Sequence, residues 1–316
     1  MHIDLTSVGT SGTKGVTGTT GTSSYDLTVT DDVGTIHSIM RYVQPSLGSV
    51  LRVDKTYGDS AKASAYPFKY AFSTIQAAID AGQTLQSINQ PVQIQVMPGV
   101  YSEQLTLGTN TYVRGASTQA VVLRPTVAST PFSAVVMGAN SRFEDMTVDL
   151  TTTANNQTVR GISLNGTVAQ TSKVRTFVVN VTEGGSFSGG SLYGIYVNGT
   201  GATAQSSSNT LRAGTVNVTG SVTSSLMRGV YCDSTNRVSF RDCNIYATQA
   251  GATMGSAGAI GCETAAADAW IEARSSTVSG TGNDISQTAG NIVLGMTDLV
   301  NRTANSRGFT VTSQAS

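Results

Sequence analysis

Charge is what this sequence has least of. Charged residues make up 12% of its 316 positions, about half of the ~25% usual in soluble globular chains. Exposed helix faces draw on Glu, Lys and Ala, so a helical bundle is excluded. Lys plus Arg number 19 and Asp plus Glu 19, a formal net charge of zero. No run of Lys and Arg stands out along the chain. That argues against nucleic acid as the principal partner, because neutralising phosphates takes a basic face. A local basic patch built by folding stays compatible with this composition, as does binding to neutral sugars.

Other absences narrow the field further. The three cysteines, Cys232, Cys243 and Cys262, lack the C-x-x-C spacing of a zinc site and are expected to be buried free thiols. No metal and no cofactor is expected. Aromatics are scarce at 6%, with Trp270 the one tryptophan, so a sugar groove paved with exposed rings is not indicated. No window approaches 18 uninterrupted apolar residues, so no transmembrane helix and no membrane partner are expected. The N-terminal MHIDLTSVGTSGTKG has no charged segment followed by an apolar one, so no signal peptide is read and synthesis in a cytosol is expected.

Thr, Ser, Gly and Asn fill the space that charge leaves. Residues 1–24 are too poor in apolar groups to offset the entropy of ordering alone, and from Tyr25 the pattern turns β-like. The segment 1–50 is therefore read as an arm with a β-like attachment segment, 51–300 as the main body and 301–316 as a tail. After a loop, KTYGDSAKASAYPFKY, one helix is predicted near 73–82. Ser73 is its expected N-cap, Ile75, Ala78, Ile79 and Ala81 its apolar stripe, and Gly82 its stop.

From about residue 134 the chain repeats itself. A Gly-associated apolar position recurs at Val136, Ile162, Ile195, Val230, Ile260 and Ile292, at intervals of 26, 33, 35, 30 and 32 residues. Alternating strand pairs follow all but the last: SRFEDMTVDL, SKVRTFVVNV, NTLRAGTVNV, NRVSFRDCNIYA and DAWIEARSSTVSG. Periods of this size mark a solenoid, and strand pairs make it a β-solenoid. Propeller blades would be longer and four-stranded. The fold expected is all-β, a right-handed parallel β-helix with an N-terminal capping helix.

Residues 66–117 carry a resemblance. PFKYAFSTIQAAIDAG, VQIQVMPGVYSEQLTL and YVRGAS resemble the cap and first coil of pectin-lyase-like β-helix proteins. The residues concerned are Pro98, Gly99, Tyr101, Glu103, Arg114 and Gly115. The pectin methylesterase, polygalacturonase and pectate lyase catalytic motifs are not found, and both histidines, His2 and His37, precede the helix. The polar arm, the lead-in Val53-Asp54 with Gly58-Asp59 and the low-charge coils are closer to pectin-lyase-like proteins of phages and large DNA viruses. That likeness implies a virion location as a spike, fibre or minor shell component.

Candidate site residues follow from the carboxylates. Glu144, Asp145 and Asp149 form the densest acidic stretch, and paired carboxylates can hydrolyse glycosidic bonds. The competing reading puts them on the outer face beside Arg175, in a surface ladder with Arg212, Arg241 and Glu272. Asp233 and Asp242, with Arg241, form the next acidic group, and Asp268, Glu272 and Arg274 another. Glu103 is read as satisfying backbone donors of the first coil. Tyr193, Tyr196 and Tyr231 are read as a packed stack. The catalytic fallback set is Glu144, Asp145, Asp233 and Asp242. The leading expectation is a non-enzymatic virion protein: the arm meets other virion proteins, copies associate as homo-oligomers (a trimer is the first guess), and host glycans are the outside contact. A polysaccharide-acting enzyme and a cellular adhesin are the alternatives.

Overall fold

The computed structural model describes residues 50–85, 91–165, 171–184, 189–198, 208–221, 226–233, 236–252 and 258–300, together with the strands Thr28–Thr30, Ile36–Ser38 and Ala304–Ser306. Residues 1–48 form one compact unit and 49–316 a second. In the first, β1 (Thr28–Thr30) and β2 (Ile36–Ser38) pair antiparallel. The expected arm over 1–24 lies outside the described residues.

The second unit is a right-handed parallel β-helix with three faces. The first face stacks β3 (Val50–Val53), β4 (Val92–Val96), β7 (Thr111–Gly115), the leading halves of β10 (Arg142–Thr151), β12 (Lys173–Thr182) and β14 (Ser208–Gly220), then β16 (Arg237–Arg241), β19 (Trp270–Arg274) and β22 (Asn291–Gly295). The second face takes β5 (Gly99–Tyr101), β8 (Val121–Leu123), the trailing halves of β10, β12 and β14, then β17 (Asn244–Gln249), β20 (Thr277–Gly280) and β23 (Asp298–Leu299). The third face is the eight-stranded sheet from β6 (Leu105–Thr106) through β9 (Phe132–Met137), β11 (Thr158–Asn165), β13 (Ser191–Asn198), β15 (Leu226–Cys232), β18 (Ala259–Thr264) and β21 (Asn283–Gln287) to β24 (Ala304–Ser306). The five strand pairs read from the sequence are β10, β12, β14, β16–β17 and β19–β20.

Alternation along each strand sends every second side chain inward, and parallel register aligns them into columns. One core column runs Phe143, Val174, Leu211, Phe240, Ala273, and another Val148, Val179, Val216, Ile245, Val278. All are buried, each large side chain contributing roughly 1.5–3 kcal/mol. From β10 onward, each coil turns between the first two faces on one residue with positive φ: Asp145 (58°), Thr176 (44°), Ala213 (51°), Asp242 (55°), Ser275 (44°) and Met296 (48°).

The Gly-linked anchors have a steric cause. A Cβ at Gly161, Gly194, Gly229 or Gly261 would lie 2.1–2.5 Å from Val179, Val216, Ile245 or Val278, so the third face can approach the second only through glycine. The registered column is Val135, Ile162, Ile195, Val230, Cys262, Ile285. Three sequence anchors are right. Val136 is one residue late and Ile260 two early, because every residue of β18 is buried and alternation gives no phase there. Ile292 belongs to the first face, paired with Ile271.

The capping region also departs from expectation. A short helix, α1 (Ser60–Ala65), lies in the segment expected to be loop, capped by Asp59, which accepts from Ala61 N and Lys62 N at 3.1 Å. The main helix, α2, spans Ile75–Leu85. Thr74, not Ser73, caps it, its hydroxyl accepting from Ala77 N at 3.3 Å. Gly82 does not stop it. The buried stripe is Ile75, Ala78, Ile79 and Gly82, and a Cβ on Gly82 would reach 3.0 Å from Val92, so glycine lets the helix sit close on the end of the stack.

Candidate functional site

The resemblance motifs prove to be structural devices. Glu103 accepts from Ile75 N and Gln76 N, both at 2.8 Å, placing a carboxylate on the N-terminal end of α2, where unpaired amides and the helix dipole favour it. Its donors thus belong to the helix and not, as expected, to the first coil. Tyr101 donates to Met97 O at 2.9 Å. Asp54 accepts from Thr56 N and Tyr57 N at 2.9 and 3.0 Å. A Cβ on Gly58 would lie 2.3 Å from Asp54 O and Phe72 O. These residues therefore build the cap and do not point to chemistry.

The fallback carboxylates are spread over two faces. Glu144 stands in register between Arg114 and Arg175, with Oε1 3.9 Å from Arg175 Nε. Asp145, one residue on and at the bend, turns back to Arg114, accepting from Nε at 2.7 Å. Asp149 lies on the second face and accepts from Arg124 Nε and Nη2 at 3.0 and 2.7 Å. Asp242 is exposed and 3.5 Å from Arg241. Asp233 follows the third-face strand β15 and accepts the Tyr196 hydroxyl. Asp268 is exposed.

The surface ladder needs one correction. In register it reads Arg114, Glu144, Arg175, Arg212, Arg241, Arg274. Glu272 pairs with Ser239 instead, in the register that sets Trp270 opposite Arg237 and Arg274 opposite Arg241. From that neighbouring column Glu272 accepts from Arg237 Nη2 and Arg274 Nε, both at 2.6 Å. Burial pushes its carboxyl up, the two guanidiniums outweigh that, and its pKa lies below the ordinary value.

The densest polar cluster lies on the outer side of the third face, outside the continuous core. Tyr193, Tyr196 and Tyr231 form a triad with ring centroids 5.0–5.7 Å apart, as the packed reading expects. The Arg160 guanidinium sits 3.7 Å from the Tyr196 ring centroid, a favourable cation–π geometry. Arg228 and Glu263 form a buried ion pair. Arg228 Nη1 also donates to Met227 O and Gly258 O at 3.0 Å, and Thr288 donates to Glu263 at 3.2 Å. Burial, helped by the Tyr193, Glu263 and Asp233 charges, pushes the Tyr231 phenol up to about 12. Burial and the bond to Asp233 push Tyr196 up as well. Phenols shifted this way stay protonated at neutral pH and act as hydrogen-bond donors, not as bases. Sequence reading gives the three tyrosines but misses Arg160, Arg228 and Glu263, which the variable chain separation between coils hides.

The three cysteines are free and buried, and burial pushes the Cys243 thiol up to about 11, so it is a core residue and not a nucleophile. Among the described residues no group of three His, Cys, Asp or Glu could hold a metal, and no helix is long and apolar enough to cross a membrane.

No family model and no curated protein matches the chain. Among solved structures it is similar to pectin methylesterase PemA from Erwinia chrysanthemi, at 11% identity and TM-score 0.37 over 81% of this chain and 92% of that one. It is also similar to ORF18 of Geobacillus virus E2, at 12% identity and TM-score 0.40 over 85% and 58%. A third is the A-module of Azotobacter vinelandii mannuronan C-5 epimerase AlgE4, at 12% and 0.24 over 76% and 95%. At such identities the likeness concerns the parallel β-helix fold.

Proposed function

We propose that this chain is a non-enzymatic structural protein of a virus particle, a spike, fibre or minor shell component that contributes to attachment at the host surface. The observation that carries this reading is the state of the four fallback carboxylates. Glu144, Asp145 and Asp242 each lie beside an arginine, and Asp233 holds a tyrosine hydroxyl. They serve a repeating scaffold, and glycosidic hydrolysis instead needs two carboxyls facing each other across a sugar. Parallel stacking over three faces gives a stiff rod suited to display outside a particle. In this reading residues 1–50 dock to other virion proteins, and self-association, as a trimer, covers exposed edges and multiplies weak host contacts.

The test is mass spectrometry of purified particles from the source. The chain is expected there at fixed stoichiometry to the major shell protein. Its absence from clean particles overturns the proposal and turns attention to polysaccharide cleavage, screened with Glu144, Asp145, Asp233 and Asp242 substituted in turn.

A further inference from the structure

Among the described residues, water reaches large apolar side chains at the ends of the solenoid and not between them. The exposed ones lie in the first coil with its helices, at positions 57–100, or in the last coil, at 296 and 300. The first-coil group is the larger. Tyr57, Tyr66 and Phe68 are each more than half exposed, and Met97 and Val100 are exposed too. Scattered surface hydrophobics are ordinary, but a group of them marks an interaction site. Three loops carry this group, and hydrogen bonds tie the loops together. The loop 54–59 holds 70–72 through Asp54 N to Phe72 O and Asp59 N to Ala71 O, both at 2.8 Å. On its other side Met97 N donates to Val53 O at 2.9 Å, and the Lys55 ammonium donates to Val100 O. Tyr66 and Tyr70 meet edge to face, with ring centroids 6.3 Å apart.

The fold holds these rings in water by specific bonds. Asp59 caps α1, the Ser60 and Ser73 hydroxyls lie 2.8 Å apart, and Ser73 N donates to Ser60 Oγ at 3.0 Å. Asp54 fixes the turn that carries Tyr57 by accepting from Tyr57 N at 3.0 Å. Aromatic side chains on a preorganised backbone lose little entropy on binding and supply many of the anchors of protein interfaces. Charge adds a rim. Lys62 is neutralised by Asp59 at 3.2 Å, whereas Lys55 and Lys69 have no carboxylate partner among the described residues. The Lys69 ammonium stands 5.4 Å from the Tyr70 ring centroid. The result is an apolar patch with unneutralised positive charge at its edge. Residues 1–49 join the solenoid at this same coil, through Val50 of β3.

We propose that this aromatic and basic end of the solenoid is a docking surface for another protein of the particle, one that presents an apolar surface rimmed by carboxylates. The inference rests on the proposed function, in which residues 1–50 dock to other virion proteins, and adds a folded contact to that of the arm. Two linked contacts multiply, so a modest patch is enough once the arm is bound. Charge complementarity sets the partner's rim, and the exposed rings call for apolar pockets to fill. A lipid surface fits less well. Anchoring there takes a cluster of basic residues or the broad apolar face of a helix, and this patch offers two unneutralised cations on turns.

The experiment compares purified particles of the source carrying the wild-type chain with particles carrying Tyr66→Ser together with Phe68→Ser. Copies of the chain are counted against the major shell protein by mass spectrometry. The double variant is expected at least tenfold below wild type, since loss of one aromatic anchor already weakens an interface about tenfold. Both side chains are exposed in the isolated chain, so the purified variant should melt at the wild-type temperature. If it melts lower, Tyr57→Ser repeats the test at the most exposed of the three rings. Met296→Ser, at the other end, should leave the copy number unchanged, and Lys69→Ser should make release of the chain less sensitive to salt. Equal copies of wild type and double variant overturn the docking and leave the proposed function standing, as does an equal loss with Met296→Ser. Absence of the wild-type chain from particles overturns both. Two other results would give the patch to a different occupant and overturn the docking: purified chain binding vesicles of equal parts phosphatidylcholine and phosphatidylserine, or self-associating in light scattering, when the double variant does neither.

Discussion

On the third face the Arg228 side chain is 4% exposed and its partner Glu263 11%, whereas on the first face Arg114 is 54% exposed and Asp145 18%. Both pairs are guanidinium to carboxylate, and both span coils. Their physics differs because water reaches one and not the other. An exposed pair gains little, since solvent screens it and ordering two side chains costs entropy. A buried pair is costly to form, and breaking it is worse, because one charge then stays in the interior without a counterion. On the first face an exposed pair such as Arg114–Asp145 can therefore vary its charges at little cost to stability. The third face cannot.

The sharpest way to break this comparison is to remove one partner on each side. Glu263→Ala should destabilise the chain by about 3–5 kcal/mol, because it strands Arg228. Asp145→Ala should stay within about 1 kcal/mol. Urea unfolding of the two variants checks both. Equal losses would mean that the third-face cluster is wetter than its geometry indicates.

The contrast also marks how far linear reading reaches. Strand pairs such as SKVRTFVVNV are legible because alternation is local, and the helix is legible because its stripe recurs within eleven residues. Phase was lost where both faces of a strand are covered, as in β18. The arginine column was legible only in part. Its members lie 29–37 residues apart along the chain, so no basic run exists in the sequence, and their alignment depends on how much chain each intervening loop consumes. Glu272 took the place of Arg274 in that reading for this reason, since two residues in one strand with the same outward parity cannot be told apart without register. The tyrosine triad, by contrast, was legible, because Tyr193, Tyr196 and Tyr231 flank the recurring Gly-linked anchors.

A smaller effect comes from Glu272, which joins the two columns of the first face. Its folded pKa is depressed, so its contribution is present above the ordinary carboxylate value of 4.5 and is lost as pH falls through the folded value. Wild type should therefore lose more stability than Glu272→Gln between pH 7 and pH 3, by under about 1 kcal/mol. Urea midpoints at the two pH values test the sign. A larger acid loss in the Gln variant would place the stabilising charge elsewhere.

A glycine substitution with the smallest expected effect, set against a valine at the same position, isolates the bend that separates the first face from the second. Ala213 sits at φ 51°, in the left-handed region, where a Cβ costs roughly 1–2 kcal/mol. Glycine is free of that cost but gives the unfolded chain more entropy, worth about 0.5–1 kcal/mol. Ala213→Gly should therefore raise stability by only a few tenths of a kcal/mol. Ala213→Val should lower it by roughly 1 kcal/mol or more, because a β-branched side chain is a worse fit to this conformation. The position is exposed, so neither change disturbs packing in the core, and thermal unfolding reads the backbone term directly. Opposite signs for the two variants would show that the corner is held against its own steric preference by the register of the coils above and below. The same sign for both would mean that the corner relaxes, and the arginine column, fixed one residue before it, would then be free to shift out of register.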